Sequence, residues 1–382
     1  MPSDTENFFE SKDNHPWSRI KDRILGSYMT PYSTKIVTKG NPLLFIDAFA
    51  GPGKTADGEP GSPLIICQAA EKAAKGRYKA IFVNKDAKYH KELEDILNKA
   101  NFSRSATPIL GDGQILLKSV IPLLNNQSVF LYIDPFGLNC EFSSIEPFLK
   151  RDINYSTEIL INIHVPILHR LAARDAYYDK DSNKEQIAKW HEKLTRTLGG
   201  DYWKEALLSE QNLDTKTREK MVIDGYKKRL SSTGYLKYTG SCPVQASRDS
   251  VTKYHMVFAS PHPDAMVILN DAMCKAFNEY MNTEETKDTL FSDLPWTTWR
   301  DTKDLTELVV QYTIKYPRNS RKDLWVYIVL DHFMHFTHSE YIKAVDTAIK
   351  SGKIFCSTPV GSPIRKTKRL NHDCVLEPTQ SS

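Results

Sequence analysis

The sequence predicts a doubly wound α/β fold carrying a helical insertion and a separate C-terminal module. Three observations predict it. Five short apolar runs, at 43–49, 79–84, 106–112, 129–137 and 158–165, alternate with helix-patterned segments. That alternation produces a mainly parallel sheet covered on both faces. Two of the runs end in an aspartate followed by a Gly/Pro cluster, at Asp47 and Asp134. In open parallel sheets the carboxyl ends of the strands are where ligands sit. Two later β-prone runs, 235–246 and 253–260, are joined by SRDSVT, which reads as an antiparallel hairpin and brings the sheet to seven strands.

The elements follow in order. Trp17, Ile20, Ile24 and Tyr28 recur at helical spacing and predict a helix over 17–38, in an N-terminal segment 1–40. The Rossmann-like core spans 41–165. Within it, Ser62 reads as an N-cap with Pro63 at the first helical position, starting a helix over 63–75. A charged amphipathic helix covers 86–100, and another helix 114–124. Residues 166–232 turn helical and strongly charged, so they form an insertion. Residues 233–285 bring the closing hairpin and a helix over 263–281. After the acidic stretch NTEETKD, residues 286–382 form a separate unit: an apolar helix at 302–316, a segment at 321–332, a helix at 339–351, then SGKIFC. A helix ending in Ser-Gly-Lys before a short β-prone run resembles the recognition helix and wing of a winged-helix module.

Composition narrows the function classes. A chain of 382 residues exceeds the roughly 100–200 of one domain, so two domains are expected. Hydrophobic residues make up 40% and charged residues 26%, enough for a proper core. No apolar run approaches the roughly 20 residues that cross a bilayer, so no membrane role is expected. The polar, acidic N-terminus does not read as a secretory signal. Six scattered cysteines form no CxxC pair, which argues against a zinc site or a disulfide framework; the expected location is the cytoplasm. The net charge of +4 permits a nucleic-acid partner without requiring one. The basic run Arg365, Lys366, Lys368 and Arg369 reads as a solvated tail ahead of a phosphate-binding arm.

The loop after the first strand reads D-A-F-A-G-P-G, from Asp47 through Phe49, Gly51 and Gly53. Glycines let the backbone approach a ligand closely. An aspartate at the strand end can pair with the α-amino group of S-adenosylmethionine, the expected cofactor. Ala48–Thr55 also fits a relaxed phosphate-loop pattern. In a true phosphate loop the Lys and Thr open a helix directly. Gly58, Pro60, Gly61 and Pro63 forbid that here, so nucleotide hydrolysis ranks below methyl transfer. The second strand should end in an acid that holds ribose hydroxyls; Asn84 occupies that place, with Asp86 close behind. Asp112 follows the third strand, where such enzymes contact the adenine amino group, and it is equally suited to cap the next helix.

The fourth strand exits as Asp134-Pro135-Phe136-Gly137. An acid followed by proline and an aromatic suits amine methylation. The acid and a neighbouring carbonyl accept hydrogen bonds from an exocyclic amine, and the ring stacks on a base taken out of its helix. A strand-end turn with Phe136 in the core is the alternative.

Taken together, FIDAFAGPG with EPGSP downstream, YIDPFG, ILINIHVPILHR and YHMVFASPHP resemble the bacterial three-Cys-motif partner protein family (TcmP), from about Trp17 to the C-terminal module. The resemblance implies a class I methyltransferase fold followed by a winged-helix-like tail. It also implies a protein partner, or a shared pathway, with a three-cysteine-motif protein similar to radical-S-adenosylmethionine proteins. The DPFG loop resembles that of tRNA guanine N2-dimethyltransferases, which implies a nucleobase amine as acceptor. Two departures stand: Asn84 in place of the usual acid, and a long loop before Ser62.

Two functions are therefore carried forward. The first is methyl transfer from S-adenosylmethionine to an exocyclic amine of a base in DNA or RNA. Asp47, Phe49, Gly51, Gly53, Asn84, Asp86 and Asp112 would hold the cofactor, with Asp134, Pro135 and Phe136 at the reaction. The second is a binding or regulatory protein of the same fold, working through the three-Cys-motif partner in DNA repair or anti-phage defence. Asn162, His164, His169 and Arg170 follow the fifth strand and can line the cleft, although histidines there are more often structural. His332, His335 and His338 read as a polar stripe and not a metal site, and Trp296, Trp299 and Trp325 as packing residues.

Overall fold

The computed structural model describes residues 18–124, 126–151, 154–172, 184–245, 251–285, 304–358 and 373–379. Its contacts separate two units, Met1–His262 and Pro263–Ser382.

The first unit opens with α1 (Ser18–Thr38) and then alternates: β1 (Leu43–Asp47), α2 (Ser62–Ala74), β2 (Tyr78–Asn84), α3 (Ala87–Lys99), β3 (Ala106–Leu110), α4 (Gly113–Val120) and β4 (Ser128–Ile133). A short helix, α5 (Phe142–Ile145), leads to β5 (Thr157–His164). Every residue of β1 and β4 is buried, which is why both read as unbroken apolar runs and not as alternating ones. The predicted helix at 114–124 divides at Val120, and residues 121–123 tighten into a 3-10 turn. Pro122 explains the break, because it has no N–H to donate.

Among the described residues the insertion contributes α6 (Val165–Ala172), α7 (Lys184–Leu198), α8 (Tyr202–Leu208) and α9 (Thr215–Ser231). The hairpin β6 (Tyr238–Gln245) and β7 (Thr252–Ser260) completes the sheet. The strand order is β3-β2-β1-β4-β5-β7-β6. Strands β1 to β5 pair in parallel, and β7 enters antiparallel between β5 and β6. This is the Rossmann-like methyltransferase arrangement, with its topological switch between β1 and β4.

The sheet's two faces have different covers. On one, α1 lays Tyr28 and Tyr32 against Phe45, Phe130 and Phe258, with ring centroids 5.3–6.2 Å apart. Each such pair adds about 0.5–1.5 kcal/mol beyond its burial. The Tyr28 hydroxyl donates to Glu158 on β5, which also accepts from Ser260 Oγ at 3.3 Å. On the other face, Leu44, Ile46, Val129, Leu131, Ile159 and Val257 pack with Phe142, Phe148 and residues of the insertion such as Trp203, Val222 and Tyr226. Arg218, buried in the insertion, donates to the carbonyls of Ala206, Ser209, Gln211 and Leu213, tying α9 to the segment before it.

The second unit comprises α10 (Pro263–Glu285), α11 (Leu305–Lys315), β8 (Asn319–Ser320), α12 (Arg321–Asp331), α13 (His338–Lys350), β9 (Ile354–Ser357) and β10 (Val375–Pro378). The sequence boundaries grouped the first of these helices with the sheet hairpin at 233–285, whereas its contacts group it with the C-terminal unit. Asn270 in α10 supplies the reason: its Nδ2 donates to Phe336 O at 2.8 Å and its Oδ1 accepts from Met334 N at 2.7 Å. The three strands form an antiparallel sheet in the order β8-β10-β9. Thr337 and Glu340 cap α13 reciprocally. Among the described residues, no helix is long and apolar enough to cross a membrane.

Burial pushes the Glu158 carboxyl up from near 4.5 to about 7, against the opposing hydrogen bond from Tyr28. Between those values the folded chain holds a proton that the unfolded chain has lost, so its stability falls as pH rises from about 4.5 to 7 and stays at the lower level above. Glu158→Gln, which keeps an acceptor for Tyr28, should flatten that slope by on the order of 3 kcal/mol between pH 5 and pH 8. Urea unfolding at the two pH values measures it.

Candidate active site

The parallel strands point their carboxyl ends at one edge, so the loops after β1, β2, β3 and β4 gather there. Backbone bonds knit them together. Ala48 N donates to Tyr132 O at 3.2 Å, Ala50 N to Val83 O at 2.8 Å, and Gly111 N to Asn84 O at 3.0 Å. Gly113, the first residue of α4, lies so close to β1's exit that a Cβ there would stand 1.9 Å from Ala48 O.

Asp47 is 0% exposed. It accepts from Phe49 N at 3.2 Å and from Ser62 Oγ at 2.7 Å. Burial pushes its carboxyl up to about 7, with those two bonds pulling the other way. Ser62 thus braces Asp47 from the first turn of α2, and Gly61 takes the N-cap place expected of Ser62. The long loop between is folded. Gly53 turns at φ 89°, Gly61 N donates to Gly53 O at 2.9 Å, Lys54 bridges Pro60, and Thr55 N donates to Glu59 O at 2.9 Å. Lys54 therefore sits in a bridge well ahead of the helix start, which removes the phosphate-loop alternative.

Asn84 is buried and spends its amide inside the protein. Its Nδ2 donates to Ala50 O at 2.7 Å, and its Oδ1 accepts from Asp86 N at 2.8 Å. Asp86 caps α3 through Oδ1, accepting from Lys88 N and Tyr89 N. Asp112 caps α4 the same way, from Gln114 N and Ile115 N. Each predicted cofactor residue lies at this edge, and the three beyond β1 also build the loops that carry them.

At the end of β4, Asp134 Oδ2 accepts from Lys21 Nζ at 2.7 Å and from the Tyr132 hydroxyl at 3.3 Å. Asn162 Nδ2 donates to the same tyrosine oxygen at 3.2 Å. Phe136 is 39% exposed, so its ring does not retreat into the core. Gly137 turns at φ 72°, where an added Cβ would stand 2.9 Å from Ile167. Asn139 Nδ2 holds Phe136 O at 2.6 Å. Behind the loop is a cavity of about 20 Å³ lined by Pro135, Leu138, Cys140, Asn162, Thr197 and Tyr226 among others. Asn162 Oδ1 is buried without a hydrogen-bond partner.

Lys21 escapes the sequence reading. Its side chain is 10% exposed and lies over the Tyr254 ring, 4.7 Å from the centroid. Burial alone would push its pKa down; Asp134 outweighs that and holds it up. Neighbouring Asp22 is pushed up to about 6 by burial, with Lys21 opposing and Asp134 and Asp57 adding to the rise. A signal was present: Lys21 lies one turn before Leu25 and two before Tyr28, a charge placed on the apolar stripe of its helix.

The lesser candidates divide. His164 sits edge-on to Tyr254, with centroids 5.2 Å apart, and burial lowers its pKa. His169 faces a different partner, Glu219, at 3.3 Å. Glu219 also lies 3.8 Å from His255. Burial would raise the Glu219 pKa, but its bonds from His169, His255 and Thr252 outweigh that and hold it down at about 2. In the second unit, the His332 and His335 rings are 5.9 Å apart, and Trp325 stacks on Tyr341 at 4.8 Å. Among the described residues, no group of three His, Cys, Asp or Glu side chains can hold a metal ion. Trp296, Trp299 and the basic run 365–369 lie outside the described residues.

No family model matches the chain. No curated protein matches it in sequence. Among solved structures, a conserved hypothetical protein from Streptococcus pyogenes aligns at 15% identity, covering 32% of this chain and 66% of that one, with a TM-score of 0.23. A methyltransferase from Geobacter sulfurreducens aligns at 10% identity over 35% and 60%, TM-score 0.25. An O-methyltransferase from Bacillus cereus, in complex with SAH, aligns at 10% identity over 67% and 94%, TM-score 0.33. The chain thus spans less than two-thirds of the length of the first two. The strand order, and not these likenesses, carries the fold.

Gly113→Ala should cost about 1–3 kcal/mol, because α4 must move off Ala48 O. Gly111→Ala, with open space around its Cβ, should be close to neutral. Thermal unfolding of the two variants compares them.

Proposed function

We propose that this chain binds S-adenosylmethionine at the carboxyl edge of its sheet and transfers the methyl group to an exocyclic amine of a nucleic-acid base. One observation supports the reading above the rest: Asp47 and Asp134 stand at the ends of adjacent strands, β1 and β4, with a half-exposed aromatic ring beside the second. When bound, the cofactor supplies a methyl carbon made electrophilic by its sulfonium. The edge suits a ligand bearing positive charge, since Asp22, Asp47 and Asp134 gather around Lys21 there. With the Asn84 amide committed to Ala50 and Asp86, the reading gives the ribose to Asp86 Oδ2. The adenine amino group falls to Asp112 Oδ2, because both caps use Oδ1.

In this reading Asp134 and the loop backbone accept hydrogen bonds from the acceptor amine and Phe136 stacks on its base, which is catalysis by positioning. With the cofactor bound, its methyl group would pass to the nitrogen so oriented, the thioether would be the leaving group, and the nitrogen's proton would go to water. The second unit would grip the nucleic acid. From α11 onward its order of helix, strand, helix, helix, strand, strand supports a winged-helix reading, in which α13 would be the recognition helix.

A second reading is favoured by one specific observation. Asp47 is wholly buried, as fits a pocket kept for regulation through a three-Cys-motif partner.

Calorimetric titration with S-adenosylmethionine and S-adenosylhomocysteine separates the two readings. Because Asp47 must ionise to pair with an ammonium group, affinity should rise on the order of tenfold from about pH 5.5 to 7.5 and then level off. Asp47→Asn should bind weakly and without that pH dependence. Asp134→Ala should bind the cofactor like the parent and fail to methylate nucleic acid. Full biological activity in Asp134→Ala would support the regulatory reading.

A further inference from the structure

Lys21 is a buried ammonium on a helix that no part of the foregoing reaction uses. Its Nζ lies 2.7 Å from Asp134 Oδ2, and the face of Tyr254 closes over it. The Tyr132 hydroxyl reaches the same Oδ2, and Asn162 in turn holds Tyr132. Two side chains thus meet one oxygen of one carboxylate, Lys21 from α1 and Tyr132 from β4, and Asn162 from β5 holds Tyr132 in turn. The charged groups that face Asp134 are Lys21 and Asp22 from α1 and Asp47 from β1. His164 from β5 and Tyr132 from β4 are the titratable neighbours. Of these, Lys21 is the cation in contact.

We infer that Lys21 is a positioning and specificity residue for Asp134, holding it as a fixed, ionised acceptor so that the loop selects hydrogen-bond-donating amines. The inference deepens the methyl-transfer reading and rests on it for its meaning. A protonated Asp134 would carry an O–H and would accept a carbonyl or ring nitrogen as readily as an amine. A carboxylate paired with Lys21 can only accept. Because Lys21 and Tyr132 both occupy Oδ2, the carboxylate is also held against rotation, with Oδ1 presented to the incoming donor.

The test reads the carboxylate directly. The full chain is labelled with 13C at aspartate carboxyls, the Asp134 signal is identified by its loss in Asp134→Asn, and its titration is followed by NMR in the parent, Lys21→Met, Lys21→Gln and Lys21→Arg. The neutral variants should raise the Asp134 midpoint by about 1–3 pH units, and Lys21→Arg should restore it to near the parent value. Lys21→Gln keeps a hydrogen-bond donor in place if the methionine variant does not fold. An unchanged midpoint in a folded neutral variant overturns the inference.

A second arm follows release of S-adenosylhomocysteine with unmodified tRNA transcript and unmethylated duplex DNA as probes. The expected result is an acidic limb of the rate that moves upward with the Asp134 midpoint in the neutral variants. A shifted midpoint without any methyl transfer by the parent would count against the function proposed above and leave the Lys21–Asp134 linkage standing. Transfer by the parent with an unmoved rate profile in the neutral variants would overturn the specificity role of Lys21.

Discussion

The packing of α1 across one face of the sheet is the interaction on which the rest of the first unit depends. Its aromatic residues fill the groove formed by Phe45, Phe130 and Phe258, and the Tyr28 hydroxyl meets the buried Glu158 beneath. Dispersion and apolar burial supply the energy, and the polar pair fixes the register, because a shifted helix would strand a carboxyl in a dry interior. That register determines where the helix begins. With Tyr28 and Tyr32 seated over β4 and β5, the first turns reach the carboxyl edge, and Lys21 arrives at Asp134. A contact that looks purely structural thereby places a charge at the candidate site.

The opposite face is covered more conventionally, by an apolar layer that includes Trp203, Phe142 and Tyr226. The edge between the faces is held by backbone groups more than by side chains. Amide-to-carbonyl bonds link the loops after β1, β2 and β3, and the missing Cβ of Gly113 lets α4 press onto β1's exit. A frame of this kind holds its shape when the side chains on it change. Asn84 belongs to that frame: it braces Ala50 and Asp86 and keeps the two turns together.

The sheet was legible in the sequence because buried parallel strands are written as short apolar runs ending in Asp, Gly and Pro; β1 and β4 are the clearest examples. The hairpin, the insertion and the helices of the C-terminal unit were legible for similar local reasons. What was not legible depends on distant partners. Lys21 looks like any helical lysine until Asp134, far along the chain, is brought to it. Asn84 reads as a ligand contact, and its bonds to Ala50 O and Asp86 N, which brace the loops, have no local signal. Ser62 reads as a cap, yet its hydroxyl turns to Asp47. The helix at 263–281 was visible as a helix, but its allegiance depended on Asn270 finding Phe336 and Met334, which no periodicity encodes.

The antiparallel entry of β7 between β5 and β6 has a consequence for synthesis. While the ribosome is still producing the insertion, β5 is a bare edge, since its outer neighbour begins at Thr252. Glu158 then lacks Ser260 and Lys21 lacks the Tyr254 ring, so the polar anchor of α1 and the counter-ion of Asp134 are both incomplete. An exposed strand edge invites wrong pairing. The long, charged insertion emerges during that interval and carries the chain from β5 to the strands that cover its edge. The carboxyl edge of the sheet is therefore the last part of the first unit to mature, and a chain cut short before β7 lacks a finished candidate site even with every motif residue from Asp47 to Asp134 already made.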